Sequence, residues 1–113
     1  MLNYSIRDFE GIKILELSGN LTSKTVDVFR QVVERIVERE SIMINLENLN
    51  LITSAGLNTL IDLSFYAKSM EKRIIFLWPN EELQKMVDTM EVYNYLIFSE
   101  SLEEGQTKIN LYT

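Results

Sequence analysis

The sequence predicts a single α/β domain, a mixed and mostly parallel β-sheet of four to five strands packed with four helices. Three observations lead there. The chain has 113 residues, which fits one domain over positions 1–113. Glycine occurs only at 11, 19, 56 and 105 and proline only at 79, so no linker, repeat or low-complexity stretch divides it. Segments of strand character alternate with segments of helical period in the order β-β-α-β-α-β-α-β-α, which suits a parallel sheet covered by helices.

Residues 3–8 and 12–17 read as two strands around a turn at Glu10-Gly11, the first antiparallel and at or near an edge. In the second, Ile12, Ile14, Leu15 and Leu17 are apolar, and Gly19 is expected to break the pattern. From Ser23 to about Arg39 the period becomes helical, with Val26, Phe29, Val33, Ile36 and Val37 on one face and Thr22 or Ser23 as N-cap. The charges between Glu34 and Glu40 fall on the opposite, solvated face, with Arg35 and Glu38 at pairing distance. Ile42–Leu46 is a short apolar run typical of a buried strand, and Glu47 to Ile52 is expected to be loop.

Thr53-Ser54-Ala55-Gly56 opens a second helix whose apolar face runs through Leu57, Leu60, Ile61, Ser64 or Phe65, and Ala67 or Lys68. Arg73–Trp78 is a very apolar strand that Pro79 stops, and Asn80 can cap a third helix over Glu81 to about Thr89. Leu83, Met86, Val87 and Met90 face inward there, and Trp78, Met86 and Met90 read as core packing. Tyr95–Phe98 is a last strand. Ser99 is expected to cap a final short helix ending near Gly105, with a frayed tail over 106–113.

Composition removes several kinds of chemistry. Apolar residues make up 46% and charged residues 25%, so a core can form without metal or disulfide staples. There is no cysteine and no histidine, which excludes disulfides, thiolate–zinc sites and nucleophilic triads built on histidine. Seventeen acids against eleven bases give a net charge of −6, a poor match for nucleic acid or an anionic membrane surface. The first eight residues lack the basic start and apolar core of a signal peptide, and no apolar run reaches the length of a membrane span. A cytoplasmic location is expected, and the two Asn-x-Ser/Thr sequons at Asn3 and Asn20 are chance matches.

No phosphate-binding glycine loop occurs, and carboxylate pairs such as Glu81-Glu82 and Glu103-Glu104 sit in polar surface segments. Without histidine, cysteine or such a loop, no credible catalytic cluster is available, and neither a metal nor a cofactor is expected. The local feature with chemical potential is Leu51-Ile52-Thr53-Ser54-Ala55-Gly56-Leu57. Small residues gather there where a strand meets a helix, leaving backbone N–H groups and the partial positive charge of a helix end. Such a site tolerates a phosphate on Ser54, but on residue types alone the better reading is that Ser54 only caps the helix.

At these residues the sequence resembles the STAS family, in particular bacterial anti-sigma factor antagonists. Three blocks carry the resemblance: Leu17-Ser18-Gly19-Asn20-Leu21-Thr22 with Thr25 after it; Ile44-Asn45-Leu46, Leu49 and Ile52-Thr53-Ser54-Ala55-Gly56-Leu57; and Leu83-Gln84-Lys85-Met86-Val87 followed by Tyr95-Leu96-Ile97-Phe98. They span about residues 3–105 in the order of elements given above. The resemblance implies a STAS-like domain that binds an anti-sigma factor with kinase activity and so releases a sigma factor. The kinase then phosphorylates the serine before Ala-Gly, which by position is Ser54, and a phosphatase reverses the step. Thr22, Ser23, Thr53, Ser54, Ala55, Gly56 and Asn58 are the implied partner-binding residues. The family commonly carries aspartate where this chain has Thr22 and Thr53. These departures admit a divergent partner, phosphorylation at Thr53, or a domain that is never phosphorylated. The alternative within the family is a non-switching subunit of a membrane lipid transporter, bound to its ATPase. Neither the oligomeric state nor a small-molecule ligand is specified by the sequence.

Overall fold

Strand alternation gives this sheet two buried faces. In the computed structural model, which describes residues 1–77, 80–90 and 95–112, the elements are β1 (Leu2–Phe9), β2 (Ile12–Leu21), α1 (Val26–Val37), β3 (Ile42–Ile52), α2 (Ser54–Ser69), β4 (Ile74–Leu77), α3 (Glu81–Met90), β5 (Ile97–Ser99) and α4 (Leu102–Tyr112). The five strands lie side by side in sequence order. β1 is the antiparallel edge strand and the other neighbours pair in parallel, as the element pattern predicts. Glu10 (φ 50) and Gly11 (φ 88) both adopt positive φ between the paired residues Phe9 and Ile12, the requirement of a tight two-residue hairpin turn.

Leu15, Leu17, Ile44, Leu46 and Phe76 point to one face, where Phe29 and Val33 of α1, Leu57, Leu60 and Leu63 of α2, and Leu83 and Val87 of α3 cover them. Ile14, Met43, Ile75 and Leu77 point to the other, where Ile109 of α4 packs. α1 and α2 are also tied at their surfaces by Arg30–Asp62 (3.6 Å) and by the Tyr66 hydroxyl, which donates to Glu38 (3.0 Å). That hydrogen bond to a carboxylate holds the Tyr66 phenol above its ordinary pKa.

The structure corrects several sequence expectations, each for a local reason. Gly19 does not end β2. It lies within the strand at φ +94, next to a register shift, and a Cβ there would collide with the Met1 carbonyl. The segment 47–52 is strand rather than loop, because the extended β2 pairs Asn20 with Leu51 and Leu21 with Ile52. Among the described residues β4 pairs with β3 as far as Asn45, and the Asn80 side chain donates to the carbonyls of Leu49 (2.8 Å) and Glu47 (3.3 Å). Asn80 also caps α3 as expected, accepting from the Leu83 N–H (3.0 Å).

α1 starts at Val26 and ends at Val37, shorter than the span from Ser23 to Arg39, and its cap position is Thr25 rather than Thr22 or Ser23. Glu38 engages Tyr66, not Arg35. On α2 the apolar face is Leu57, Leu60, Leu63 and Ala67, while Phe65 and Lys68 are exposed. Ser99 closes β5, and the cap of α4 is Ser101, whose Oγ accepts from the Glu104 N–H (3.0 Å). α4 does not stop near Gly105 with a frayed tail. It runs to Tyr112 because Ile109 is buried on the second face of the sheet. Trp78, Pro79 and the side chain of Met90 lie outside the described residues.

Ile109→Ala is expected to lower the unfolding free energy by about 2–5 kcal/mol, measured by urea denaturation. A loss under about 0.5 kcal/mol, the size of an ordinary surface change, would show that α4 is not part of the core.

Candidate functional site

The carboxyl ends of β2 and β3 lie side by side, and each feeds the start of a helix. Their connections are joined directly. The Thr53 N–H donates to the Leu21 carbonyl (3.1 Å), and a Cβ at Gly56 would lie 2.6 Å from that same oxygen and 2.7 Å from Ile52 Cγ1. Residue 56 must therefore be glycine for α2 to approach β2 this closely.

Thr53, not Ser54, occupies the cap position of α2. Its backbone is extended (φ −98, ψ 175), its Oγ1 accepts from the Gly56 N–H at a long 3.4 Å, and its carbonyl accepts from the Leu57 N–H (2.9 Å). Ser54 is thus the first helical residue. Its side chain is exposed, and among the described residues its hydroxyl makes no hydrogen bond. Among the described residues the N–H groups of Ser54 and Ala55 have no partner at the helix end. No acidic residue lies in the first turn of α2, so the partial positive charge there is uncompensated.

The β2–α1 connection is built on two threonines. The Thr25 hydroxyl donates to the Asn20 carbonyl (2.9 Å) and accepts from the Thr22 N–H (2.9 Å). The Thr22 Oγ1 accepts from the Lys24 N–H (3.2 Å), and the Thr22 carbonyl accepts from the N–H groups of Thr25 and Val26. This local turn leaves Ser23 and Lys24 exposed and Thr22 half-buried.

Of the residues singled out in the sequence, Ser23, Ser54 and Asn58 are exposed, and Asn58 follows Ser54 by one helical turn on the same face. Thr22, Thr53 and Ala55 are half-buried. Gly56 is buried, so its part is packing rather than contact. Sequence reading missed Leu51, an apolar side chain 50% exposed, and Lys24. Leu51 was hidden by the loop expectation, and its exposure follows from the register shift that leaves Asn50 extra between the pairs Gly19–Leu49 and Asn20–Leu51, so spacing from the buried Leu49 does not reveal it. Among the described residues no group of three Asp or Glu could hold a metal ion, and no helix is long and apolar enough to cross a membrane.

Comparison with known proteins agrees with this architecture. The model of the STAS domain matches residues 3–105. A candidate anti-sigma factor antagonist from Thermotoga maritima is 14% identical and superposes with a TM-score of 0.83, covering 95% of this chain and 94% of its own. An anti-sigma factor antagonist from Mycobacterium paratuberculosis is 15% identical with a TM-score of 0.79, covering 97% and 95%. The Bacillus cell fate determinant SpoIIAA in its phosphorylated form is 16% identical with a TM-score of 0.67, covering 95% and 99%. At these identities the likeness is one of fold. No curated protein sequence matches the chain.

Three substitutions separate the roles at this turn. Thr53→Ala is expected to cost about 0.5–1 kcal/mol, the lower part of the range for a lost cap because the bond is long. Ser54→Ala should stay within about 0.5 kcal/mol. Gly56→Ala should cost about 1–3 kcal/mol through the forced contact with Leu21 and Ile52. Thermal and urea unfolding of the three variants give the ranking, and equal losses for Thr53→Ala and Ser54→Ala would contradict the assignment of the cap.

Proposed function

This chain belongs to the STAS domain family, and from that membership we propose that it is a bacterial, cytoplasmic anti-sigma factor antagonist. It acts by binding rather than by catalysis. Unphosphorylated, it binds an anti-sigma factor with kinase activity and releases the sigma factor. Phosphorylation of Ser54 breaks that complex, and a phosphatase restores it.

One observation carries this reading: an exposed serine hydroxyl that makes no hydrogen bond among the described residues, at the first position of a helix whose first turn has unpartnered N–H groups and no acid. A phosphoryl group brings roughly −1.5 to −2 charge and strong acceptor oxygens. The helix end accommodates that charge in the free domain, since it adds acceptors where donors lack partners. A protein surface packed over the same turn would have to desolvate the charge, which costs several kcal/mol unless a cation meets it. The switch therefore works on the complex and leaves the fold intact. In keeping with this, the solved structures of SpoIIAA in its unphosphorylated and its phosphorylated form both superpose on this chain, with TM-scores of 0.74 and 0.67.

The same geometry favours Ser54 over Thr53 as acceptor. The Thr53 hydroxyl is half-buried and turned to the Gly56 N–H, whereas Ser54 faces solvent. The partner surface consists of Ser54, Asn58 and Ser23, with Leu51 as its exposed apolar contact and Lys24 beside them in sequence on the neighbouring connection. Thr22 and Thr53, which replace the family's usual acids, serve turn and cap instead, so the partner's surface facing them has no carboxylate to meet.

The test uses the anti-sigma factor recovered from native cells with the tagged protein. With ATP it is expected to phosphorylate the wild type at Ser54 and to leave Ser54→Ala unmodified, as read by mass spectrometry. Ser54→Ala should bind as tightly as the wild type, and Ser54→Asp at least about tenfold more weakly, by calorimetry. Recovery of a transporter ATPase in place of a sigma regulator would overturn the proposal, as would undiminished binding by Ser54→Asp.

A further inference from the structure

The sheet has two edges, and they are not alike. At one, β5 is three residues long, Ile97–Ser99. At the other, β1 runs for eight, Leu2–Phe9, and pairs with β2 without a register shift. A short edge offers little open backbone, whereas a long unbroken one is a template for another strand. β1 also lacks the usual defences of an edge, having no proline, glycine or lysine and no bulge. Among the described residues no strand pairs with its outer side.

The hairpin fixes which groups face outward. In an antiparallel pair, residues that exchange hydrogen bonds alternate with residues that do not. The Asn20 N–H donates to the Met1 carbonyl (2.9 Å), and the same register continues from Leu2–Gly19 to Phe9–Ile12. Odd-numbered residues of β1 therefore turn their N–H and C=O toward β2, and Leu2, Tyr4, Ile6 and Asp8 turn theirs to the open edge. The side chains of Tyr4 and Ile6 stand opposite Leu17 and Leu15 on the helix-covered face, yet remain 48% and 47% exposed. Open backbone groups and uncovered apolar area thus fall on the same two residues.

The strand that fits this edge is β1 itself. A second copy laid antiparallel about a two-fold axis through Ser5 sets Tyr4 against Ile6 of the second copy, Leu2 against Asp8, Asn3 against Arg7, and Ser5 against Ser5. Every outward-facing residue is then used, giving about eight backbone hydrogen bonds between the copies. Tyr4 and Ile6 cover each other as an aromatic–aliphatic cross-strand pair, once on each side of the axis. Moving the axis to Tyr4 or to Ile6 loses one hydrogen-bonded pair. No like charges oppose one another, and Arg7 is already held by Glu16 of its own chain (2.5 Å). The domain has a net charge of −6, but β1 carries one cation and one acid, so the repulsion expected between two acidic copies is least along this edge.

We infer that β1 is a self-association surface: two copies pair edge to edge through it and join their sheets into one. The inference rests on no part of the Ser54 switch, and it is tested on the full chain without ATP or any partner. Sedimentation from micromolar to millimolar concentrations is expected to show a reversible shift from one chain to two. Hydrogen exchange at the Tyr4 and Ile6 amides should slow at least about fivefold as the dimer forms. Because the chain has no cysteine, Ser5→Cys introduces a single thiol. Across the axis two such positions form a non-hydrogen-bonded pair with Cβ atoms about 4.5–5.5 Å apart, near the separation a disulfide spans. Mild oxidation should therefore cross-link Ser5→Cys at least about tenfold faster than Asn3→Cys, which faces Arg7 instead. Ile6→Lys should weaken association at least about tenfold. Ile6→Pro, which removes an N–H that β2 does not use, should do the same while leaving the amide spectrum of the other strands in place. The inference fails if the chain stays single over the whole range, if Ser5→Cys cross-links no faster than Asn3→Cys, or if Ile6→Lys associates as the wild type does.

Discussion

The Leu21 carbonyl oxygen is the point on which this domain's working end depends. It accepts the Thr53 N–H at 3.1 Å and would lie 2.6 Å from any side chain at position 56. One atom thereby joins the end of β2, the end of β3 and the first turn of α2. The hydrogen bond sets where β3 stops, and the close approach sets how near α2 comes to the sheet. With both fixed, Thr53 has no choice but the cap, and Ser54 begins the helix with its hydroxyl outward. The exposure of Ser54 is thus a consequence of packing two residues further on, at a glycine that no partner can reach.

The two faces of the sheet divide the remaining work. Three helices cover one face and bury most of the core, while α4 closes part of the other through Ile109. Outside that cover the second face carries a paired polar cluster. Asn45, nearly buried, donates to Glu16 (2.7 Å) and accepts from the Glu47 N–H (2.9 Å), and Glu16 also holds Arg7 (2.5 Å). Buried polar groups satisfied in this way add rigidity without requiring apolar cover. Rigidity matters for a domain whose proposed switch is a surface charge. A scaffold that stays the same when a phosphate arrives turns the whole of the electrostatic change into a change in binding.

How far the sequence could be read varies with the range of the forces concerned. The β1–β2 hairpin, the order of elements, the antiparallel edge and the cap at Asn80 were all legible, because each rests on local periodicity or turn chemistry. Gly19 and the segment 47–52 were misread for a common reason. A glycine and a polar, alternating stretch look like punctuation when taken alone, and they become strand only because each finds the other across the sheet. The shift from Ser54 to Thr53 at the cap, and from Ser99 to Ser101 at α4, are one- and two-residue displacements. Neighbouring hydroxyls compete for such positions on equal local terms, and the neighbouring backbone decides between them.

By itself, the sequence determined the class of the protein. The absence of histidine and cysteine rules out the chemistry that needs them, the alternating elements give an α/β domain, and the small-residue turn before Leu57 marks where to look. These are properties of residue type and spacing, which survive without coordinates. Only the tertiary structure decided which hydroxyl is free. It did the same for Leu51, an apolar side chain left in water three residues before Ser54. Those facts depend on distances between segments remote in the chain, and such distances are set by how close one backbone can come to another.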